Sequence, residues 1–213
     1  MTTSYDTIII GAGIAGAATA HALRQKGQKV LVLDKKGIAS GGSGAAGAFV
    51  SPKIGKGSPL QTLTNEAFSF AKDFYLSTCP QFFHQTGVIR IPKDEEDEKK
   101  FFEYEAFNEN KYENYPKEQL HSLGITSEFE SFYFPEAGDC DALEVCEFLL
   151  KEVEVHEVDV KETIHEGSLW CVDQYKAKNL VLATGYENDL ADLRYMGIKG
   201  TWGTRGDFAS SLP

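Results

Sequence analysis

Three glycines and one acid carry the first chemical signal in this sequence. Gly11, Gly13 and Gly16 follow directly on Thr7-Ile-Ile-Ile10, and Asp34 ends a second apolar run, Val30-Leu-Val-Leu33. That is the order of a βαβ unit built to hold a dinucleotide. Gly11 allows the tight turn from strand to helix, Gly13 has no Cβ to keep a pyrophosphate off the backbone, and Gly16 lets the helix pack against the sheet. The helix N-terminus offers free N–H groups and a partial positive charge to phosphates, which brings Ile14 and Ala15 into the contact set. Asp34 lies 18 residues beyond Gly16, placed to accept hydrogen bonds from an adenosine ribose, with Lys35 beside it. A G-x-G-x-x-G alone also fits an ordinary glycine turn, and Asp34 alone an ordinary turn acid. Strand, motif, helix and terminal acid in register favour the dinucleotide.

A second unusual segment follows. Residues 39–49, Ala-Ser-Gly-Gly-Ser-Gly-Ala-Ala-Gly-Ala-Phe, hold one large side chain in eleven positions. Such a composition suits a flexible linker. It also suits a backbone that lies against a ligand and presents successive N–H groups to it. Its place just after the acid-terminated strand favours contact, through Ser40, Gly41, Ser43, Ala45, Ala46, Gly47 and Phe49. Turn hydrogen bonding is the plainer role open to Ser40 and Ser43.

The elements that must position these residues follow from periodicity. A helix is expected over 14–26 with Gly27 just past its end, and a doubly buried strand over 29–33. Helical spacing over 60–78 puts Leu63, Ala67, Phe70, Ala71, Phe74 and Tyr75 on a stripe, read as core packing. A strand is expected over 81–91 with Gly87 near its middle, and a charged surface helix over 94–108. Residues 104–134 are rich in aromatics and acids and support no firm reading. A helix over 141–151 precedes short strands at 153–155, 158–165 and 169–172. Asn179-Leu-Val-Leu-Ala183-Thr184-Gly185 reads as a buried strand ending in a small turn.

The chain has 213 residues, 42% of them apolar and 25% charged, and a net charge of −11 from 21 basic and 32 acidic residues. That length suits one large domain, or one domain and part of another. That balance argues against non-specific nucleic-acid binding, which needs clustered Lys and Arg. Cys79, Cys140, Cys146 and Cys171 form no C-x-x-C pair and no zinc spacing with histidine, so reduced thiols are expected. No secretory leader or membrane-spanning run is legible, and a cytoplasmic location is expected. The acids and lysines of 94–100 read as a solvated face. His84, His121, His156 and His165 are scattered, and no Ser/His/Asp or Cys/His arrangement nominates a catalytic residue.

The chain resembles the flavin-dependent amine oxidases of the D-amino-acid oxidase and glycine oxidase family. The glycine motif with Asp34, the small-residue segment 40–49, a β-meander over 158–172 and the Ala183-Thr184-Gly185 strand end match in order. Ala45-Ala-Gly-Ala-Phe-Val-Ser-Pro-Lys53, the helix near Leu60, Tyr133-Phe-Pro-Glu-Ala-Gly138 and Thr204-Arg205-Gly206-Asp207 narrow the resemblance further. They look like the FAD domain of the bifunctional tRNA 5-methylaminomethyl-2-thiouridine biosynthesis proteins.

The resemblance implies an α/β fold: a Rossmann-like FAD-binding domain with a parallel sheet and β-meander over 1–80 and 135–200. Part of an α+β substrate domain would fill 81–134 and 201–213. It implies FAD as cofactor and oxidation of a carbon beside a secondary amine, with hydrolysis of the imine and reoxidation by O2 or another acceptor. The implied substrate is the carboxymethyl group of 5-carboxymethylaminomethyl-2-thiouridine at the tRNA wobble position. It further implies a methyltransferase domain or protein as partner, and a C-terminal half with a last glycine-rich strand end and a carboxylate-binding arginine. On this resemblance Val160 contacts the adenine through its backbone, Ser40, Gly41 and Ser43 face the phosphates and ribityl chain, and Ala46, Gly47 and Phe49 lie near the isoalloxazine. Ala183 and Gly185 flank the cofactor. Arg205 either guides an anionic substrate or pairs with Asp207. Three rival readings remain: a glycine oxidase-like enzyme, an NAD-dependent dehydrogenase, and a truncated, non-catalytic dinucleotide-binding protein.

Overall fold

Thr7-Ile-Ile-Ile10 is β-branched throughout and lacks any turn residue, which favours a strand buried on both faces. The computed structural model describes residues 4–187, 189–201 and 203, and in it this run is an interior strand. In chain order the elements are β1 (Ser4–Ile10), α1 (Ile14–Gln25), β2 (Val30–Asp34), α2 (Gly42–Ala45), β3 (Phe49–Val50), α3 (Pro59–Thr78), β4 (Phe83–His84), β5 (Val88–Arg90) and α4 (Glu95–Glu105). They continue as β6 (Glu113–Tyr115), α5 (Lys117–Ser122), β7 (Ser131–Phe134), β8 (Gly138–Cys140), α6 (Ala142–Leu150), β9 (Glu154–Glu157), β10 (Thr163–Glu166), β11 (Leu169–Val172) and β12 (Tyr175–Leu182). Two compact units result. One takes the described residues up to Ala46 and from Asp141 onward, and the other takes Gly47–Cys140.

The first unit is a six-stranded sheet in the order β10-β11-β12-β1-β2-β9. Four neighbours, β12, β1, β2 and β9, run parallel, and β10, β11 and β12 form an antiparallel meander. Ile8 and Ile10 turn to one face and pack with Tyr5, Leu31, Leu33, Val160, Val172 and Ala177. Ile9 turns to the other face, towards α1, whose Gly16, Ala17 and Ala20 are buried. Small side chains bring this helix close, and α1 also packs along α6, whose Val145, Cys146, Leu149 and Leu150 are buried. Gly27 follows α1 with φ +78°, the left-handed stop its position promised. The meander sits later than expected: residues 158–162 are not strand, and β10 starts at Thr163. Val160 instead sends its side chain into the core.

The second unit is built on rings. Phe68, Phe101, Phe132, Phe134 and Ala137 form its buried cluster, beside two three-stranded antiparallel sheets, β3-β8-β4 and β5-β7-β6. Residues 104–134, unreadable by periodicity, supply β6, α5 and β7 to it. The strand expected over 81–91 is split, because Gly87 at φ +83° turns the chain between β4 and β5. Asp94 caps α4, its Oδ1 accepting from Asp97 N–H at 2.8 Å. Four acids in the first turn then suit the positive end of the helix dipole.

Helix α3 overturns one expectation outright. Its apolar stripe is not core: Leu63 is 61% and Phe70 72% exposed. The buried face carries Gln61, Asn65 and Phe68. Gln61 Oε1 accepts from Gly57 N–H at 2.9 Å and its Nε2 donates to Phe107 O at 3.1 Å, while Asn65 Oδ1 accepts from Lys53 N–H at 2.8 Å. These amides stitch the flanking loops to the helix. Phe68 draws α3 into the ring cluster, so the unit boundary falls near residue 46 rather than at residue 80.

Candidate functional site

Strand order reverses at β1, since β2 and β9 extend the sheet on one side and β12 on the other. In open α/β sheets the crevice beyond the carboxyl ends of the strands at such a point is where ligands bind. The chain places its glycine motif there. Gly11 N–H donates to Leu33 O at 2.7 Å, Ala183 N–H to Ile10 O at 2.7 Å and Val158 N–H to Asp34 O at 2.8 Å. The carboxyl ends of all four parallel strands are thereby tied together.

Backbone proximity explains two of the glycines. Gly11 has φ +111°, and a Cβ there would stand 2.3 Å from Ala183 O; at Gly16 a Cβ would stand 1.9 Å from Gly11 O. Gly13 differs: a Cβ would meet the Ser43 side chain, with Oγ at 2.9 Å and Cβ at 3.8 Å, and no backbone. Its freedom from a side chain serves space at the helix mouth rather than packing.

The segment 39–46 folds back on that mouth. Ala39, buried and at φ +54°, donates from its N–H to Ala12 O at 3.0 Å and accepts from Gly44 N–H at 3.0 Å. Ser43 Oγ accepts from Ile14 N–H at 2.9 Å, which makes it a hydroxyl cap that α1 otherwise lacks. Neither contact is visible in a run read only as poor in side chains. Within α1 the first turn is closed by Ala17 N–H to Gly13 O at 2.9 Å. Among the described residues none accepts from the N–H groups of Ala15 or Gly16, the donors a helix start leaves open.

Asp34 is half-buried at the end of β2. Its Oδ2 accepts from Ala12 N–H at 2.8 Å, and its Oδ1 from Lys36 N–H at 2.9 Å and Ser40 Oγ at 3.4 Å. The acid therefore fixes the glycine turn while keeping lone-pair capacity for a further donor. Lys35 is engaged by Glu187, whose hydrogen bond raises the ammonium pKa. Thr184 Oγ1 donates to Glu187 O, and Gly185 turns at φ +68°.

Gly11, Gly13, Ile14, Ala15, Gly16, Asp34, Lys35, Ser40, Gly41, Ser43, Ala45, Ala46, Val160, Ala183, Thr184 and Gly185 all belong to the first unit, whereas Gly47 and Phe49 belong to the second. Residues 204–207 lie outside the described residues. Among the described residues no cluster of His, Cys, Asp and Glu suits a metal ion, and no helix is long and apolar enough to cross a membrane. The four cysteines are free thiols.

The fold and this glycine-lined sheet edge define a nucleotide-binding α/β protein. The family described as FAD dependent oxidoreductase (DAO) matches residues 6–201, and the chain belongs to it. A bifunctional tRNA 5-methylaminomethyl-2-thiouridine biosynthesis protein of Marinobacter nauticus is 26% identical over 91% of this chain and 34% of its own length. The corresponding protein of Maricaulis maris is 40% identical over 44% of this chain and 16% of its own length. Among solved structures, glycine oxidase from Geobacillus kaustophilus superposes with a TM-score of 0.73 at 20% identity, over 87% of this chain and 56% of that one. The L-amino acid deaminase of Proteus vulgaris gives 0.70 at 18% identity, over 87% and 48%. These two show the shared fold. The chain spans about a third of the Marinobacter protein and about half of the solved chains.

FAD is the cofactor of this family, and the residues present fit its dinucleotide part. The open N–H groups of Ala15 and Gly16 suit a pyrophosphate, and Gly13 leaves room before them. Asp34 keeps an acceptor for a ribose hydroxyl. The family match also removes the NAD-dependent reading.

Proposed function

We propose that this chain forms the flavin-binding part of an enzyme that oxidises the carbon beside a secondary amine. The substrate we infer is the carboxymethylaminomethyl group of a 2-thiouridine at the tRNA wobble position, which loses its carboxymethyl carbon unit. When bound, FAD supplies the hydride acceptor for that oxidation. Gly11 and Gly16 hold the turn that aims α1, Ala15 and Gly16 N–H groups bind the pyrophosphate, and Asp34 orients the adenosine ribose. Ser43 keeps Ile14 N–H satisfied and so holds residues 40–46 beside the cofactor's path.

One observation carries this reading: the glycine motif, Asp34 and Ala183 meet at the carboxyl edge of a parallel sheet, with helix donors left open. The relatives named for tRNA thiouridine biosynthesis support the substrate, and with it a methyltransferase partner, a C-terminal half that completes the substrate site, and a cytoplasmic location.

The test is calorimetric titration with FAD, followed by anaerobic mixing of the loaded protein with carboxymethylaminomethyl-thiouridine tRNA, glycine or sarcosine. Binding that Gly13→Val abolishes, with bleaching of the flavin by the tRNA, is the expected result. Bleaching by glycine alone would transfer the reading to a free amino-acid oxidase. FAD binding without bleaching by any substrate would leave a non-catalytic dinucleotide-binding protein. No heat on FAD addition would overturn the reading entirely.

A further inference from the structure

A cavity of about 620 Å³ opens within the second unit, walled by Phe49, Ile89, Tyr115, Leu123 and Tyr133 with Thr86 at its side. That is the size of a small-molecule site. Tyr115 and Tyr133 come from the adjacent strands β6 and β7. Tyr115 pairs with Ser131 and Glu113 with Tyr133, so the two tyrosines share one face of the sheet. Their rings stack with centroids 4.7 Å apart and planes 28° apart. Gly87 holds the pair in place: a Cβ there would stand 2.2 Å from the Tyr133 ring, so the ring lies flat on the turn. The Tyr133 hydroxyl donates to Thr86 O at 3.4 Å. Phe49 is 73% exposed at the same cavity.

Charge is nearly absent from this wall. Arg90 is the one charged residue lining it, and it pairs across the sheet with Phe132, whereas Ile89 pairs with Tyr133. Strand alternation sets Ile89 on the sheet face that carries Tyr133, while Val88 and Arg90 also line the cavity. Arg90 is thus the single cation in this lining, and the wall is otherwise made of rings and uncharged side chains. The stacked tyrosine pair suits a flat, uncharged ring with hydrogen-bonding edges, since every nucleobase has a π-face to stack.

The geometry points to a stacking subsite for the pyrimidine ring of a nucleotide substrate, built on Tyr115 and Tyr133. It rests on the reading above in which the amine hangs from a modified uridine, and it assigns the ring rather than the amine to this cavity.

Uridine 5′-monophosphate and its 5,6-dihydro counterpart, whose ring is puckered, are titrated into the FAD-loaded protein by calorimetry or saturation-transfer NMR. Wild type is expected to prefer the planar ring about tenfold. Tyr115→Ala should erase that preference and Tyr115→Phe retain it, with FAD content equal in all three. No uridine binding, equal affinity for both rings, or an unchanged preference in a flavin-loaded Tyr115→Ala protein would overturn the assignment. Flavin bleaching by sarcosine without uridine binding would sink this inference and leave amine oxidation standing. Planar-ring preference in a protein that takes up no FAD would do the reverse.

Discussion

The two units are held together by different means. In the first, backbone meets backbone: Gly16 sits against Gly11 O, Gly11 against Ala183 O, and short alanines let α1 down onto the sheet. In the second, side chains do the joining, through a cluster of rings and through the buried amides of Gln61 and Asn65. Close backbone approach leaves a mark in sequence, because only glycine satisfies it. A buried amide leaves none, because glutamine and asparagine are ordinary on any helix surface.

The sharpest break of this comparison is Gly16→Val. Its side chain would start 1.9 Å from a main-chain oxygen, and a loss of about 3 kcal/mol or more is expected in urea unfolding. A fully stable variant would show that α1 is not held by its proximity to the turn. Gln61→Leu follows. It keeps the helix but strands Gly57 N–H and Phe107 O, for a loss of about 2 kcal/mol. An unchanged melting temperature would mean the rings alone carry the second unit.

A pH experiment sharpens the first unit. Burial, with a smaller contribution from Glu147, pushes the Cys146 thiol up to about 11, whereas an unfolded cysteine ionises near 8.5. The folded state keeps its proton longer, so this thiol stabilises fully below the unfolded value and loses that contribution as pH rises towards 11. The slope is at most about 1.4 kcal/mol per pH unit, and Cys146→Ala should decline less steeply than wild type over that window. Parallel curves would place the thiol in a wetter setting. The smallest effect is expected from Phe70→Ser, which removes a ring already 72% exposed and should cost under about 0.5 kcal/mol.

What sequence made legible follows the same divide. The β1-α1-β2 unit, the Gly27 stop, the charged helix after residue 94 and the strand leading to Ala183 could be read because each rests on local backbone rules. The turn at the carboxyl end of β1 was legible through its glycines and Asp34. The hydroxyl bond from Ser43 to Ile14 N–H was not, because it joins residues 29 apart through one ordinary serine. Helix α3 misled for a physical reason. Periodicity detects an apolar stripe but not what lies opposite it, and here the opposite face is buried by hydrogen bonds. Residues 104–134 showed only weak periodicity because their order comes from ring contacts such as Tyr115 against Tyr133 across β6 and β7.

Strand β1 finds its partner on one side almost at once, in β2, and on the other only in β12, where Ser4 lies opposite Lys176. A ribosome therefore releases all of Gly47–Cys140 before the strand that pairs with the other side of β1 exists. Until β12 emerges, the nascent chain exposes one apolar edge of β1, and loop closure over so long a separation is slow. The turn that Ala183 closes beside Gly11 therefore forms only after Gly47–Cys140 has been made, because Ala183 follows directly on β12.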